Sequence, residues 1–288
     1  MPELPEVEVT RRGLAPLLVG RRLSDIETTR RSRFFLTDPG RLRRRLAGRQ
    51  VQDLQRRGKY LVAALDDGAS LVLHLGMTGQ LLVEGSRSPR LLRAAERAIT
   101  PYGSFAPDQH THLRLRFEDG GPDVLFRDVR KFGRVKLLEP GEPLDRLERL
   151  GPDALEVQGD LLWEATRGRR LAVKSLLLDQ SVLAGVGNIY ADEALFRAAV
   201  RPTRRSGRLR RRECDALAEA LRLVLERGIE TGGSTVDDFV GPDGSDGSFQ
   251  QEHQVYQRDG QPCLRCGREL KRVVLGGRSS HYCPGCQR

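Results

Sequence analysis

Cys263-Leu264-Arg265-Cys266 and Cys283-Pro284-Gly285-Cys286 close the chain as a C-x2-C-x16-C-x2-C array. Each C-x-x-C turn can offer two thiolates to one ion, and four thiolates complete a closed tetrahedral Zn2+ site. No coordination position stays open, so the metal is expected to be one structural Zn2+. Glu269 to Leu275 reads as a strand, Gly276-Gly277 as a tight turn and His281-Tyr282 as a returning strand. The sum is a zinc ribbon with Arg278 at or near its hairpin tip. His281 lies close by, but four cysteines leave it no vacancy. Four unliganded thiols are the plain alternative. The remaining cysteine, Cys214, stands alone, and an odd, tail-clustered set argues for metal over disulfides.

Upstream, from about Gly151, the texture is helical. Cys214, Leu217, Leu221 and Val224 mark one face of a helix running towards Gly232-Gly233, which makes Cys214 a core residue. A helix is expected over Leu171 to Asp179, then a sharp turn in Gly185-Val186-Gly187, then a new helix from near Asn188. Turn amides and helix N-termini bind phosphate. The competing reading makes Asn188 an N-cap, with Asp192 and Glu193 complementing the helix dipole. Gly241 to Gly247, rich in Gly and Asp, reads as a flexible loop.

The N-terminal half alternates. Leu4, Val7, Leu14 and Leu18 follow a helical stripe that Pro5 suits as a first turn. Tyr60 to Leu65 and Ser70 to Leu75 flank a turn, and Leu113, Leu115 and Phe117 return through Val124 to Phe126. Such hairpins predict a β-sandwich. Residues Ser86 to Pro107 read as an exposed insertion. Lys59 and Lys174 each precede an apolar run, where ordinary surface lysines look the same. Met77, in a glycine-flanked turn, is either core or a base wedge. The Arg41 to Arg45 and Arg208 to Arg212 clusters read as solvated helix faces.

The fold class is therefore α+β and multidomain, with expected segments 1–145 (sandwich with flanking helices), 151–250 (helical) and 253–288 (zinc ribbon). Of 288 residues, 38% are hydrophobic, enough for a real core. Lys and Arg number 49 against 39 Asp and Glu, a net +10 that favours a polyanionic partner, although an arginine-biased genome yields the same excess. No apolar run approaches a membrane span, and Pro and Glu open the chain where a signal would be basic and apolar. A cytoplasmic protein without a membrane partner is expected.

Three segments together resemble the formamidopyrimidine-DNA glycosylase family nearly end to end: Met1-Pro2-Glu3-Leu4-Pro5-Glu6-Val7-Glu8, the Gly185 to Glu193 turn, and the four-cysteine tail. The resemblance implies a sandwich, a helix–two-turns–helix domain and a zinc ribbon, with DNA crossing the cleft. It also implies a monomeric base-excision enzyme that removes oxidised purines from double-stranded DNA and cleaves abasic sites. Pro2 would be the nucleophile through its free amine, Glu3 the acid for base release, and Glu6 a support of that site. Lys59 would donate the proton for β-elimination, and Arg278 would serve δ-elimination and phosphate clamping. His74, His110, Arg169, Lys174 and Asn188 match positions that contact the DNA backbone. Met77, Arg130 and Phe132 match the trio filling the gap left by the flipped base, and Val240 to Ser248 the loop over that base.

Three departures stand out: Lys131 where many relatives have Arg, Gln257 in place of Gly before Arg258, and the long insertion between Met77 and His110. An endonuclease VIII-like enzyme for oxidised pyrimidines shares the nucleophile and ribbon. Leu4, the Met77, Arg130 and Phe132 set and the Gly/Asp loop favour the purine branch. A non-catalytic damage-binding protein would have no use for Pro2, Glu3 and Lys59.

Overall fold

The computed structural model describes residues 1–86, 105–236 and 239–288. They form two compact units, one of 1–145 with 231–248, the other of 146–230 with 249–288. This division differs from the expected segments in two respects: 231–248 joins the first unit, and the ribbon shares the second unit with the helices.

The first unit is a sandwich of two antiparallel four-stranded sheets. One has the order β1 (Leu23–Thr28), β6 (Thr111–Phe117), β7 (Val124–Asp128), β5 (Gly79–Val83), and the other β2 (Val51–Arg57), β3 (Tyr60–Leu65), β4 (Ser70–His74), β8 (Arg134–Leu138). Alternation sets the inner faces: Leu61, Ala63 and Leu65 of β3 point inward, as do Leu113, Leu115 and Phe117 of β6. Helix α1 (Leu4–Leu18) adds Val7, Leu14 and Leu18 to the same core. Each such fully buried side chain contributes about 1.5–3 kcal/mol.

Glu8 of α1 is the polar tie between helix and sheet. Its carboxylate meets Arg11 and Arg12 at 2.8 Å each and Arg56 of β2 at 3.2 Å. Arg56 also donates to the carbonyl of Gly58 at 3.1 Å, so the turn carrying Lys59 is fastened to α1. A second helix, α2 (Pro39–Leu46), buries Leu42 and Leu46. Its arginines are not merely solvated, since Arg45 reaches Glu139 at 2.6 Å and Asp67 at 3.1 Å.

Residues 87–104, most of the expected insertion, lie outside the described residues. The described residues that flank 87–104 are not exposed. Ser86 and Phe105 are both buried, and Phe105 N–H donates to the Ser86 carbonyl at 2.8 Å. Phe105 packs with Leu82, Leu125 and Val240 in a small core of its own.

In the second unit, α3 (Gly159–Thr166) and α5 (Asn188–Arg197) pack on α6 (Arg211–Glu230). A Cβ at Gly228 would fall 2.5 Å from the Tyr190 ring, so only glycine lets Tyr190 cross α6. Cys214 is fully buried, and burial raises its thiol pKa, as suits a core residue. The helix expected over Leu171 to Asp179 is shorter: α4 covers Val173–Leu177. Leu171 and Ala172 are diverted into extended pairing with Arg205 and Ser206. Strands β9 (Lys271–Leu275) and β10 (Arg278–Tyr282) make the ribbon hairpin.

Burial pushes Glu8 up, yet hydrogen bonds from Arg11 and Arg12 outweigh it and bring the carboxyl down from 4.5 to about 2. The sign follows: stability from Glu8 is complete above pH 4.5 and disappears as pH falls towards 2. Glu8→Gln should therefore lower the thermal midpoint at pH 7, and the deficit should shrink by pH 3. A deficit independent of pH, in parallel melts, would show that the charge is irrelevant.

Candidate nucleic-acid and metal sites

The opening turn is built around buried carboxylates. Glu3 is the N-cap residue of α1, and its N–H donates to Glu6 Oε2 at 2.8 Å. The other oxygen of Glu6 accepts the N–H of Ser234 at 2.8 Å. Pro2, Glu3 and Glu6 are all buried. Glu6, expected as a support of the catalytic site, thus spends both oxygens on backbone and holds Glu3 in place. Lys59 sits on the two-residue turn between β2 and β3, where Gly58 takes φ +56° and the lysine is only 7% exposed. It is no ordinary surface lysine.

His74, at the end of β4, accepts the N–H of Gly76 on Nδ1 at 3.1 Å, which assigns the ring proton to Nε2. The turn that follows brings Met77, 38% exposed, beside the loop 129–133. Gly76 lies against the backbone of Phe132 and Gly133, where a Cβ would come within 2.4 Å. Fully buried Asp128 organises that loop: its carboxylate accepts Thr78 Oγ1 at 2.5 Å, Arg130 N–H at 3.2 Å and Gly133 N–H at 2.7 Å. Arg130 projects outward with its guanidinium 4.5 Å from the Phe132 ring, and Arg33 approaches the same ring at 5.2 Å. The trio Met77, Arg130 and Phe132 is therefore one surface feature.

Lys131 in this loop has φ +54° and Gln257, elsewhere, +56°, a backbone region that glycine adopts without strain. His110 is half-exposed at the turn before β6, with its N–H on Asp108 Oδ1 at 3.0 Å, whereas His112 is buried and desolvation lowers its pKa.

In the second unit the turn before α5 is clamped by Gln180. Its side-chain oxygen accepts Gly185 N–H at 3.0 Å and its amide donates to the Val186 carbonyl at 2.9 Å. Gly187 is the N-cap residue and Asn188 the first helical residue, with its side-chain oxygen shielded and unpaired. Exposed Arg169 has its carbonyl fixed by Gly207 N–H at 3.1 Å.

Two expectations need correction here. Lys174, expected at the DNA backbone, is fully buried; its ammonium lies 2.7 Å from Asp192 and donates to the Ser279 carbonyl at 2.8 Å. Asp192 and Glu193 do not serve the helix dipole. Asp192 also accepts the His281 N–H at 2.9 Å, and Glu193 accepts the N–H groups of Gln254, Val255 and Tyr256 at 2.8–3.0 Å. Both carboxylates mount the ribbon. Its tip is the turn Gly276-Gly277, with φ +54° and +75°, and Arg278 stands exposed beside it.

The four sulfurs of Cys263, Cys266, Cys283 and Cys286 lie within 4.8 Å of one another. A tetrahedral zinc–thiolate site with bonds of about 2.3 Å needs sulfur–sulfur edges of roughly 3.8 Å. Two edges here measure 3.9 and 3.4 Å, so the residues fit the ion. His281 is turned to Asp192, 3.1 Å from Nδ1, and is not a fifth candidate.

An antiparallel sandwich, a helical turn module and a zinc ribbon define a multidomain nucleic-acid-processing protein. Three family models cover the chain in that order. They are the formamidopyrimidine-DNA glycosylase N-terminal domain (1–135), the formamidopyrimidine-DNA glycosylase H2TH domain (150–240) and the zinc finger found in FPG and IleRS (260–288). The chain belongs to the formamidopyrimidine-DNA glycosylase family. A formamidopyrimidine-DNA glycosylase of Cupriavidus pinatubonensis is 45% identical over 302 residues, and that of Solibacter usitatus 42% over 288, each with full coverage of both chains. The crystal structure of the MutM (Fpg) protein from Thermus thermophilus matches with TM-score 0.82 and 40% identity, covering 99% of this chain and 98% of that one. Lactococcus lactis Fpg bound to abasic-site DNA matches at TM-score 0.84 and 32% identity, covering 99% of each.

Asp192→Ala leaves the Lys174 ammonium buried without its partner and should destabilise the second unit by about 3–5 kcal/mol, read by denaturant unfolding. Lys174→Met combined with Asp192→Leu should recover part of that loss; equal losses in both variants would rule out the charge pair. Metal analysis should return one zinc per chain. Chelation should increase amide exchange across 260–288 while sparing the sandwich, and an exchange pattern indifferent to chelator would exclude a structural ion.

Proposed function

We propose that this chain is a base-excision DNA glycosylase and abasic-site lyase for oxidised purines in duplex DNA, acting as a monomer in the cytoplasm at the nucleoid. The observation that carries the reading is the buried opening turn, in which Pro2 precedes Glu3 at the N-cap of α1 and Glu6 fixes the Glu3 backbone. Membership of a family whose relatives bear the glycosylase name supports it. So does the Lactococcus lactis protein solved with N7-benzyl-Fapy-dG DNA, 32% identical with TM-score 0.85. Among the described residues no helix is long and apolar enough to cross a membrane.

Chemistry follows from the residues. Removal of Met1 frees the Pro2 amine, and an α-amino group titrates near 8, leaving a nucleophilic fraction at neutral pH. The extruded nucleotide places its sugar C1′ against that nitrogen. As the N–C bond forms, the glycosidic pair leaves with the base, and Glu3 supplies the proton that assists base release and ring opening. A secondary amine gives an iminium, whose fixed charge acidifies the adjacent sugar proton. Loss of that proton expels the 3′-phosphate and a second elimination expels the 5′-phosphate. Lys59, on its turn fastened to α1, serves the first elimination and Arg278 the second. His74, with its proton on Nε2, donates to a backbone phosphate, as do half-exposed His110, exposed Arg169 and Asn188 at the N-terminus of α5. Lys174 acts indirectly, through the ribbon strand it holds.

Met77, Arg130 and Phe132 fill the vacated stack, with Phe132 wedging and Arg130 facing the orphaned base. Val240 to Ser248 lies over the extruded purine. Zinc, held by the four cysteines, shapes the ribbon and takes no part in the reaction.

Borohydride added during turnover should trap a covalent protein–DNA adduct on the N-terminal peptide. Retained Met1 should abolish trapping while lesion binding persists, because phosphate contacts lie elsewhere. Glu3→Gln should slow base excision yet still cleave a pre-formed abasic site. Peptide mapping that puts the adduct on Lys59 would remove Pro2 from the mechanism.

A further inference from the structure

The loop from Val240 to Ser248 is seated on three elements of the first unit. Val83, at the end of edge strand β5, donates its N–H to the Pro242 carbonyl at 2.8 Å. Gly13 of α1 faces Pro242 so closely that a Cβ there would lie 3.0 Å from Pro242 Cγ. Val240 packs with Leu82 of β5, Leu125 of β7 and Phe105. Phe105 is the odd member, because it belongs to no strand of the sandwich. It is the first described residue after 87–104, it is 1% exposed, and its N–H is pinned to Ser86 at the other root of the insertion.

Within the loop, Gly241 N–H donates to the Ser245 carbonyl at 2.8 Å and Ser245 Oγ to Asp243 at 2.6 Å. Those bonds fix its internal shape. They do not fix where the whole loop stands above the sheet. The loop's far end is tied to 231–235 by Gly247 N–H on Thr235 Oγ1 at 2.8 Å and Ser248 N–H on the Thr231 carbonyl at 2.9 Å. Its near end is set by the Val83 bond, the Gly13 contact and the packing of Val240 with Leu82, Leu125 and Phe105, of which Phe105 comes from the expected insertion.

We infer that Phe105 is a specificity-determining positioning residue: the insertion returns through it so that its ring sets the height of the 240–248 loop against the extruded base. This rests on the placement of that loop over the purine proposed above. Phe105 then has a definite task, which is to stand as an aromatic prop under the loop proposed to read the damaged base. A shift of the loop changes contacts with the base and leaves the sugar chemistry of the opening turn alone. Small misplacements of positioning elements are costly in rate, up to about 100-fold for an ångström.

The test compares Phe105→Ala and Phe105→Leu with the parent in single-turnover assays on duplexes containing 8-oxoguanine, a formamidopyrimidine or a pre-formed abasic site. Phe105→Ala should slow 8-oxoguanine excision by about tenfold, change its ratio to formamidopyrimidine excision, and leave abasic-site cleavage within about twofold of the parent. Phe105→Leu, which refills most of the space, should restore the parent ratio. Parallel loss of all three activities would reduce Phe105 to a core residue and overturn the inference, as would an unchanged lesion ratio. Val240→Ala alters the same contact from the loop side and should reproduce the profile if Phe105→Ala folds poorly. Asp243→Gly combined with Ser245→Gly, which loosens the loop alone, separates the two levels. If it leaves base excision intact, the loop is not over the base and the reading beneath the inference falls with it. If it alters excision while Phe105→Ala does not, the inference alone fails.

Discussion

The carboxylate of Glu6 joins two segments 228 residues apart by accepting the N–H of Ser234, while its other oxygen accepts the N–H of Glu3. A buried carboxylate is costly unless its lone pairs are satisfied, and the donors satisfying this one are backbone amides of two segments that the chemistry needs in place. Glu6 thus fixes the turn behind Pro2 and, in the same act, the root of the loop proposed to lie over the base. The proposed catalyst and the proposed reader share one anchor.

The same device recurs. Asp128 gathers the N–H groups of Arg130 and Gly133 and so shapes the loop from which Arg130 and Phe132 project. Glu193 collects three consecutive amides at the entry to the ribbon, and Asp192, paired with Lys174, holds its second strand beside Arg278. In each case a water-excluded carboxylate acts on backbone and leaves the solvent-facing side chain to the ligand. Such anchors resist displacement, because releasing one strands a desolvated charge or an orphan amide. Arg130 and Phe132, proposed to enter the vacated stack, thus sit on a loop that is braced at its base.

This pattern corrects the reading of charge in the chain. Lys174 looks in sequence like any surface lysine, and Asp192 and Glu193 like acids placed to suit a helix N-terminus. Nothing local separates a carboxylate that faces water from one that faces a neighbouring strand, because the separation of partners in sequence, 89 residues from Asp192 to His281, carries no periodic signal. Gln180 clamps the Gly185-Val186 turn from only five and six residues away, but a lone glutamine among polar residues carries no periodic signal either.

The sequence by itself determined the features that are local or covalent in origin. Strand alternation, the stripe of α1 and the Cys214 face of α6 each follow from a repeat matched to backbone geometry. The ribbon and its turn follow from cysteine spacing and two glycines able to adopt positive φ. The opening octet and the Gly185 to Glu193 turn carried the family resemblance. Only the tertiary structure decided how Glu6 gives its support, by accepting the N–H groups of Glu3 and Ser234, that Lys174 is buried, and that 231–248 joins the sandwich unit. It alone showed that the long insertion returns to the core through Phe105. All four depend on which desolvated groups find partners across long stretches of chain, and that matching exists only once the fold has brought them together.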